Sequence, residues 1–379
     1  MAMFIDRRDF LRTSAASLCV VGSGSRLRGE EPTEIVPPVD ERMHALEKAA
    51  PLSMRFQGST AEEAKHWQAA FAAKLNELLG PYRPPSSWDC VLERSVELPD
   101  FVREERVLTA PGLAPVPFFL LLPKAKDGES SPSRRPGMLA IHGHGEFAHE
   151  TVCGVDDTPA HRAEIDKFRY DYGRKLAERG YVVAAPCMTP FGRRLGTPRA
   201  KIKYDPCTKA NMELQFFGKL LIAENLRDIL WTLEYLSRHE AVDADRLGCA
   251  GLSLGGRMTM MAAAVEPRIR VAVMAGALNC LQERALKQSP AGCQLIPDLL
   301  EFGDVPEISA LIAPRPCLWE VGATDQHIAA DWVQPMLERQ GRVYKALDAA
   351  DRLQIDRWDG GHQWHGDAAY PFLAAALKK

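Results

Sequence analysis

The segment Gly251–Gly255 (GLSLG) constrains the fold more than any other part of this chain of 379 residues. The short run 246–250 before it predicts a buried strand, and the run 256–265 after it is rich in helix formers and free of proline. A serine on a sharp turn from strand to helix has its hydroxyl pushed out beyond the sheet, and flanking glycines avoid collisions with neighbouring backbone. The segment therefore predicts a nucleophile at Ser253.

Composition limits the kind of protein that can carry this turn. The chain is 46% hydrophobic and 26% charged, which is typical of a globular protein that buries a large core. A net charge of -3 gives no electrostatic footprint for nucleic acid or an anionic membrane, and no run reaches the roughly 18 apolar residues of a spanning helix. We expect a small-molecule or carbohydrate partner, no nucleic acid and no stable membrane insertion.

The first 100 residues predict two segments outside the main domain. Residues 1–30 contain DRRDFLR at 6–12 and a mild apolar run at 13–24, which is typical of a twin-arginine export signal and predicts a periplasmic or extracellular protein. A disordered or amphipathic terminus is the alternative. Residues 31–100 predict a linker and an N-terminal helical extension, because 61–79 is amphipathic and is followed by Gly80 and Pro81.

Residues 101–379 predict an α/β domain. Apolar strands that are continuous rather than alternating are separated by helical patterns, which favours a mostly parallel central sheet with helices on both faces. In such sheets ligands bind beyond the carboxyl ends of the strands, where Ser253 would lie. The predicted strands are 103–108, 116–122, 137–142, 181–185, one at 246, 270–274, 317–321 and 353–358, and the predicted helices include 165–179, 214–238, 329–347 and one from 367.

An acid and a histidine follow the serine in the order that a Ser-Asp-His triad requires. Asp325 comes directly after the strand 317–321, and His362 comes directly after the strand 353–358, each in a turn that contains glycine. His327 is a weaker candidate for the base because it shares a loop with Asp325. His365 is better explained as a capping or rim residue at the last helix.

Two backbone amides are needed to stabilise a developing oxyanion. The amide of Leu254 at the start of its helix is one candidate. The loop Ile141–Gly145 (IHGHG) should supply the other, with the amide of His144 as first choice and that of Gly145 as second.

The same loop raises the possibility of a metal site. Imidazoles and carboxylates are dense here, but HExxH spacing and a clear remote ligand set are missing, so His142 and His144 are expected mainly to buttress the loop. We therefore expect no metal and no cofactor. The nine cysteines also lack C-x-x-C spacing, although Cys280 and Cys293 could form a disulfide. The potential ligands are His142, His144, His149, Glu146 and Glu150.

Together these motifs resemble the α/β-hydrolases of the dienelactone-hydrolase and acetyl-xylan-esterase-like group. The resemblance runs from about residue 137 to the C-terminus and implies the α/β-hydrolase fold and a Ser253, Asp325, His362 triad. It leaves the substrate open, because the group includes esterases of acetylated sugars, lactones and aryl esters. The matching segments are His142–Gly145, Arg179–Pro186, Gly251–Gly256, Ile312–Pro316, Gly322–Asp325 and Gly360–His362.

The resemblance leads to the hypothesis of a serine esterase that cleaves acyl or acetyl esters, on carbohydrate in one version, through an acyl-enzyme. Alternatives are an exported serine peptidase of the prolyl-oligopeptidase type and a non-catalytic member of the fold. His142, Arg193 and Arg194 are possible substrate contacts, although a solvated or salt-bridged pair is the simpler interpretation of the two arginines. Trp332, Trp358 and Trp364 could stack on a sugar, but packing is the simpler explanation.

Overall fold

The computed structural model describes residues 38–125, 134–196, 203–287 and 291–378, so the predicted export signal at 1–30 lies outside the described residues. The chain divides into two compact units, Met1–Met43 and His44–Lys379, and the second contains the whole sheet. Across the described residues, every helix is too short or too polar to span a lipid bilayer.

A sheet of nine strands lies at the centre of the described residues, in the order β1-β2-β3-β5-β4-β6-β7-β8-β9. The six strands from β5 to β9 in that order are parallel, and β1, β2 and β3 are antiparallel to their neighbours. The strands are β1 (Asp89–Glu97), β2 (Phe101–Thr109), β3 (Val116–Pro123), β4 (Arg135–Ile141), β5 (Val182–Pro186), β6 (Val242–Leu252), β7 (Ile269–Ala275), β8 (Cys317–Gly322) and β9 (Leu353–Trp358).

Helices surround this sheet, and most connect its parallel strands. Their apolar residues pack inward, as in α7, which contacts β4, β5 and β6 and buries Leu226, Ile229, Leu230 and Leu233. The helices are α1 (Val39–Lys48), α2 (Ala61–Leu79), α3 (His149–Val152), α4 (Pro159–Phe168), α5 (Tyr172–Glu178), α6 (Pro206–Gln215), α7 (Leu221–Arg238), α8 (Leu254–Val265), α9 (Leu281–Lys287), α10 (Leu299–Phe302), α11 (Val305–Ala310), α12 (Ala330–Ala346) and α13 (Ala369–Ala376).

The predicted α/β-hydrolase architecture is confirmed, but the boundary predicted at residue 101 is wrong. The sheet already begins with β1, which pairs with β2 along its length. The sequence pattern did not predict this strand, because an edge strand with mostly exposed residues, many of them charged, lacks the apolar pattern of a buried strand. The helix α2 also belongs to the main unit, since the Gln68 amide donates to the carbonyls of Ala310 and Ala313.

Two helices predicted as continuous are each divided. The segment 165–179 is split between α4 and α5, because Arg169 adopts a left-handed conformation with φ of 51° and ends α4. The segment 214–238 is split at a turn that contains Gly218, whose φ is 68°. The first break places Tyr170 against the loop after β4, and this contact matters for the site.

The side chain of Arg315 ties several elements together on the side of the sheet covered by α8. Its guanidinium donates to the carbonyls of Ala263, Glu266 and Ile269, at 2.5 to 3.0 Å, and also to that of Ile312. These acceptors lie at the end of α8, at the start of β7 and in the lead-in to β8. One cation therefore links the end of α8, the start of β7 and the lead-in to β8 through their main-chain carbonyls.

Replacing Arg315 by Gln should lower the free energy of unfolding by about 2–4 kcal/mol, because several charge-assisted bonds are lost and buried carbonyls are left unpaired. Urea denaturation followed by tryptophan fluorescence measures the change. Arg357→Gln, at an exposed position of β9, is the matched control and should change stability by no more than about 0.5 kcal/mol. Equal effects of the two variants would contradict the role given to Arg315.

Candidate active site

Ser253 stands at the turn between β6 and α8 in a conformation that side chains rarely adopt. Its φ is 64° and its ψ is -123°, and its amide donates to the carbonyl of Ala275 at 2.8 Å. Such a conformation costs on the order of 1–3 kcal/mol and persists only when the surrounding packing imposes it. The turn predicted from the sequence is therefore present, with the serine at its apex.

The glycines beside Ser253 allow helix α8 to approach the sheet closely. A Cβ atom on Gly255 would lie 1.9 Å from the carbonyl oxygen of Ile141 in β4. One on Gly256 would lie 2.6 Å from the carbonyl oxygen of Ala275 in β7. Any side chain at these positions would push the helix away from the strands that carry the rest of the site.

His362 and Asp325 form the acid-histidine pair expected from the sequence. The Nδ1 atom of His362 lies 2.8 Å from Oδ2 of Asp325. The carboxylate is 4% exposed, and its second oxygen accepts the backbone N–H of His327 at 2.9 Å. With both oxygens engaged, Asp325 fixes the orientation of the imidazole and leaves the Nε2 atom of His362 for chemistry.

A close backbone contact joins the two loops that carry this pair. A Cβ atom on Gly322, at the end of β8, would lie 2.4 Å from the carbonyl oxygens of Gly360 and Gly361. The amide of Thr324 donates to Gly360 at 2.9 Å, which holds the loops in register. These glycines are thus required by the approach of the loops as well as by their turns.

Ser253 and His362 line one cavity of about 260 Å³ beyond the carboxyl ends of the parallel strands. His144 and Gly145, from the loop after β4, line the same cavity. His327 also faces it, and its ring lies edge-on to that of His362 with centroids 4.7 Å apart. The structure therefore brings the predicted triad and the predicted donor loop to one place.

Two residues that the sequence analysis missed hold the donor loop. The Tyr170 hydroxyl accepts the amide of Gly143. The Glu164 carboxylate accepts the amide of Glu146 at 2.6 Å. His144 remains the first choice for the second oxyanion donor, beside Leu254 at the start of α8.

His142 lies behind the loop and does not line the cavity, so the structure does not support it as a substrate contact. It is completely buried, its Nε2 atom accepts the amide of Met188 at 2.9 Å, and its Nδ1 atom lies 2.8 Å from the Gly143 carbonyl. Burial lowers the pKa of His142 to about 4, so the ring is neutral and Nδ1 carries the proton. The expected buttressing role fits this environment.

The five potential metal ligands around this loop do not converge within the described residues. His149 is buried against Phe119, with ring centroids 4.9 Å apart, and burial lowers its pKa. Glu150 instead pairs with His161 at 3.1 Å. The metal site considered from the sequence therefore has no geometric support in this loop.

A different set of residues offers the ligands of a soft metal. Donor atoms of His144, Cys207 and Cys293 all lie within 4.8 Å of one another. One imidazole and two thiolates are a ligand set that Zn²⁺ uses in proteins. Hydrogen bonds from Cys293 and His144 lower the pKa of the Cys207 thiol. The suggested disulfide between Cys280 and Cys293 is wrong, since both thiols are free and Cys293 instead contacts Cys207.

A second cluster surrounds His365, the rival histidine from the sequence analysis. Its Nδ1 atom lies 2.5 Å from a carboxylate oxygen of Asp356, and its ring stacks on Trp358 with centroids 4.6 Å apart. The neighbouring carboxyl of Glu320 has a pKa raised to about 7 by burial. This cluster lies away from the cavity and braces the loop between β9 and α13.

The two arginines proposed as substrate contacts are held elsewhere by carboxylates. Arg193 forms two hydrogen bonds with Glu93, and Arg194 binds Asp228 at 2.6 Å. Neither lines the cavity, so the simpler alternative of a salt-bridged pair fits both. The three tryptophans considered for sugar stacking do not line it either, and Trp364 is buried against Tyr172.

Instead, Arg257 and Arg284 line the cavity. Arg257 lies four residues after Ser253, so helical spacing alone could have placed it near the nucleophile. Arg284 belongs to α9, whose position depends on a long connection between β7 and β8. No local pattern in the sequence identifies it.

A family model described as the prolyl oligopeptidase family matches residues 219–279, which span α7, β6, α8 and β7. The Bacillus subtilis (strain 168) protein YtaP, provisionally named a hydrolase, is 28% identical over 302 residues, covering 76% of this chain and 92% of YtaP.

Several solved structures share the fold. The structure of a protein from Bacteroides fragilis NCTC 9343, provisionally assigned as an acetyl xylan esterase, matches this chain with a TM-score of 0.70 at 18% sequence identity. The match covers 86% of this chain and 84% of the Bacteroides fragilis chain. The structure of a glucuronoyl esterase of carbohydrate esterase family 15 from Teredinibacter turnerae T7901 matches with a TM-score of 0.59 at 16% sequence identity. This match covers 87% of this chain and 90% of the esterase chain. The chain therefore has the α/β-hydrolase fold, and the resemblance to the acetyl-xylan-esterase-like group is confirmed for the fold.

Tyr170→Phe tests whether the hydroxyl holds the donor loop. We expect a loss of about 1–3 kcal/mol in the free energy of unfolding, because the buried amide of Gly143 loses its acceptor, and faster hydrogen exchange at Gly143. Denaturant titration and amide exchange by mass spectrometry measure both effects. Tyr204→Phe, at a position 74% exposed, is the control and should change neither quantity. Unchanged exchange at Gly143 in Tyr170→Phe would contradict the assignment.

Proposed function

We propose that this protein is a serine hydrolase that cleaves carboxylic esters through an acyl-enzyme. The observation that carries the proposal is the placement of Ser253, at the apex of a strained turn, in one cavity with a His362 whose Nδ1 atom is bonded to buried Asp325. A hydroxyl becomes a useful nucleophile only beside an oriented base, and this arrangement supplies both.

In the proposed first half-reaction, Oγ of Ser253 attacks the ester carbonyl carbon while its proton passes to Nε2 of His362. The carboxylate of Asp325 stabilises the imidazolium that forms. The tetrahedral intermediate then collapses, the bond to the alcohol oxygen breaks, and His362 returns the proton to the leaving alcohol. The acyl group remains on Ser253 as an ester.

In the second half-reaction, water takes the place of the alcohol. His362 removes a proton from the water as its oxygen attacks the acyl carbon, and the second intermediate collapses to release a carboxylic acid. The proton returns to Oγ of Ser253. The amides of Leu254 and His144 are the proposed donors to the oxyanion in both halves, and each such donor contributes roughly 10²–10³ in rate.

The proposed substrate is an acyl or acetyl ester, in one version an ester of a carbohydrate. Structures similar to this chain carry the names acetyl xylan esterase and glucuronoyl esterase, which favours this class. A cavity of about 260 Å³ suits a short acyl group, while a larger alcohol would extend into solvent.

A peptidase is the second candidate, and the family match at residues 219–279 favours it. That match covers the nucleophile turn and its flanking elements, which esterases of this fold also possess. Comparing nitrophenyl acetate with nitroanilide peptides distinguishes the two candidates. Faster turnover of the anilides would replace the esterase proposal.

Ser253→Ala should reduce ester hydrolysis by at least about 10³-fold and abolish labelling by a fluorophosphonate probe, because both need the serine oxygen. Steady-state assays and gel fluorescence measure the two effects. Ser237→Ala, on α7, is the control and should keep both. Labelling that persists in Ser253→Ala would contradict the assignment, and wild-type protein that neither labels nor hydrolyses esters would favour a non-catalytic member of the fold.

We also propose export through the twin-arginine route, supported by the sequence at residues 6–24. Replacing Arg7 and Arg8 together by Lys should leave the protein in the cytoplasm, because the pathway reads the arginine pair. Cell fractionation and immunoblotting in a host with this pathway measure the distribution. Arg12→Lys is the control and should be exported, and unchanged export of the double variant would contradict the proposal.

A further inference from the structure

The cavity beside Ser253 has a positively charged wall that the proposed ester chemistry does not use. Arg257, on the nucleophile helix, and Arg284, on α9, both line it. Burial, together with repulsion from the charge of Arg284, lowers the pKa of Arg257 to about 10. Two guanidinium groups facing one small cavity are an unusual feature that calls for an anion.

The contacts of Arg257 leave most of its donors unused. The residue is 4% exposed, and its Nη2 atom donates to the carbonyl and side-chain oxygens of Asn279. Its Nε and Nη1 atoms are buried without a hydrogen-bond partner. A buried guanidinium with unpaired donors is costly unless another molecule pairs with it.

Arg284, on α9, also has a buried donor atom without a partner. Its Nε atom is also buried without a partner, and burial lowers its pKa. The nearby Gln294 lines the cavity too, with Oε1 buried and unpartnered. Within the described residues, three side chains that line this cavity therefore contain buried polar atoms without partners.

Burial lowers the pKa of Arg284 although the charges of Glu283 and Asp325 oppose this, so nearby carboxylates balance the pair of arginines only in part. Asp304 attracts Arg257 only at a distance, since its oxygens accept the amides of Leu281, Gln282 and Val305. Asp325 is bonded to His362. Among the described residues, the ion pairs include none with either cavity arginine. Arg257 still keeps two buried nitrogens without a hydrogen-bond partner, and a carboxylate in the cavity would pair with the guanidinium.

A purely structural role for Arg257 and Arg284 explains fewer of these observations than ligand binding does. Arg257 does bind Asn279, whose amide donates to the carbonyl of His327, so it braces the loop after β7. A neutral side chain could make that brace, however, without the cost of burying a charge. The brace also leaves Arg284 unexplained.

We propose that the cavity binds a carboxylate, and that the preferred substrate is an ester whose acyl group carries a second, ionised carboxyl group. This inference rests on the proposed function. The guanidiniums of Arg257 and Arg284 bind the free carboxylate, while the ester carbonyl lies at Ser253. The acyl part is assigned because the cavity is too small for a bulky alcohol and begins directly beside the nucleophile.

The first experiment compares two substrates that differ only in this charge. Nitrophenyl pentanoate ends in a methyl group where mono-nitrophenyl glutarate has a carboxylate, and both release the same alcohol. We expect kcat/KM of the wild-type protein to favour the glutarate by roughly 10–100-fold, as charge-assisted bonds to a desolvated carboxylate imply. Equal turnover of the pair, or preference for the pentanoate, would overturn the proposal.

Variants of the two arginines test whether these side chains cause the preference for the glutarate ester. Arg284→Gln should lower the ratio of the two kcat/KM values by roughly 10–100-fold, and Arg284→Lys should restore part of it because it keeps the charge. Arg357→Gln should leave the ratio and both rates unchanged. Arg257→Lys is a second test, with its folding checked by thermal melting. A ratio that stays constant in both Arg284 variants would overturn the proposal.

Direct binding separates this inference from the proposed reaction. Ser253→Ala should bind glutarate in calorimetry, and the double variant with Arg284→Gln should bind it at least about 10-fold more weakly. Absence of glutarate binding would overturn the carboxylate site even if fluorophosphonate labels wild-type Ser253. Loss of labelling with glutarate binding intact would overturn the proposed reaction and leave the site standing.

Discussion

The contact between helix α8 and strand β4 at Gly255 is the constraint on which the site depends. The position that a Cβ atom would take on Gly255 lies 1.9 Å from the carbonyl of Ile141, so only glycine permits this approach. The approach forces Ser253 into its positive φ and sets the start of α8 against the loop after β4. The nucleophile, the proposed oxyanion amides and the buried Arg257 all take their positions from this one packing distance.

The acid and the base depend on a second and separate backbone contact. Gly322 lies against the carbonyls of Gly360 and Gly361, which brings the loop of Asp325 to that of His362. The parts of the structure that the two contacts hold come together at the cavity, where a Cβ atom on Gly276 would lie 2.9 Å from the His362 ring. The triad geometry is thus imposed by backbone packing at glycines, and the polar side chains add orientation to a site that the main chain has already shaped.

The sequence predicted the parts of the site that local patterns encode. Ser253, Asp325 and His362 each follow an apolar strand directly, and strand ends in a parallel sheet share one edge, so their meeting could be inferred. Tyr170, Glu164 and Arg284 could not be found in this way, because their roles come from partners distant in the chain. The edge strand β1 was missed for a related reason, since pairing with β2 stabilises it without burying an apolar face. Arg193 and Arg194, considered as substrate contacts, instead pair with Glu93 and Asp228, as the simpler interpretation of a salt-bridged pair predicted.

The arginines of this protein differ in whether the fold itself satisfies their hydrogen-bond donors, and this difference points to the kind of ligand that the cavity binds. Arg193, Arg194 and Arg315 are each satisfied by carboxylates or carbonyls of the protein, so their charges are fully accounted for by the fold. Arg257 is more deeply buried than Arg193 or Arg315 and yet keeps two nitrogens without partners. Sequences that fold well satisfy buried polar groups, and the exceptions concentrate at functional sites. An apolar residue at this place in α8 would give a more stable unliganded protein. The presence of Arg257 beside the nucleophile, with Arg284 facing it, is therefore best explained by a negatively charged group that arrives with the substrate.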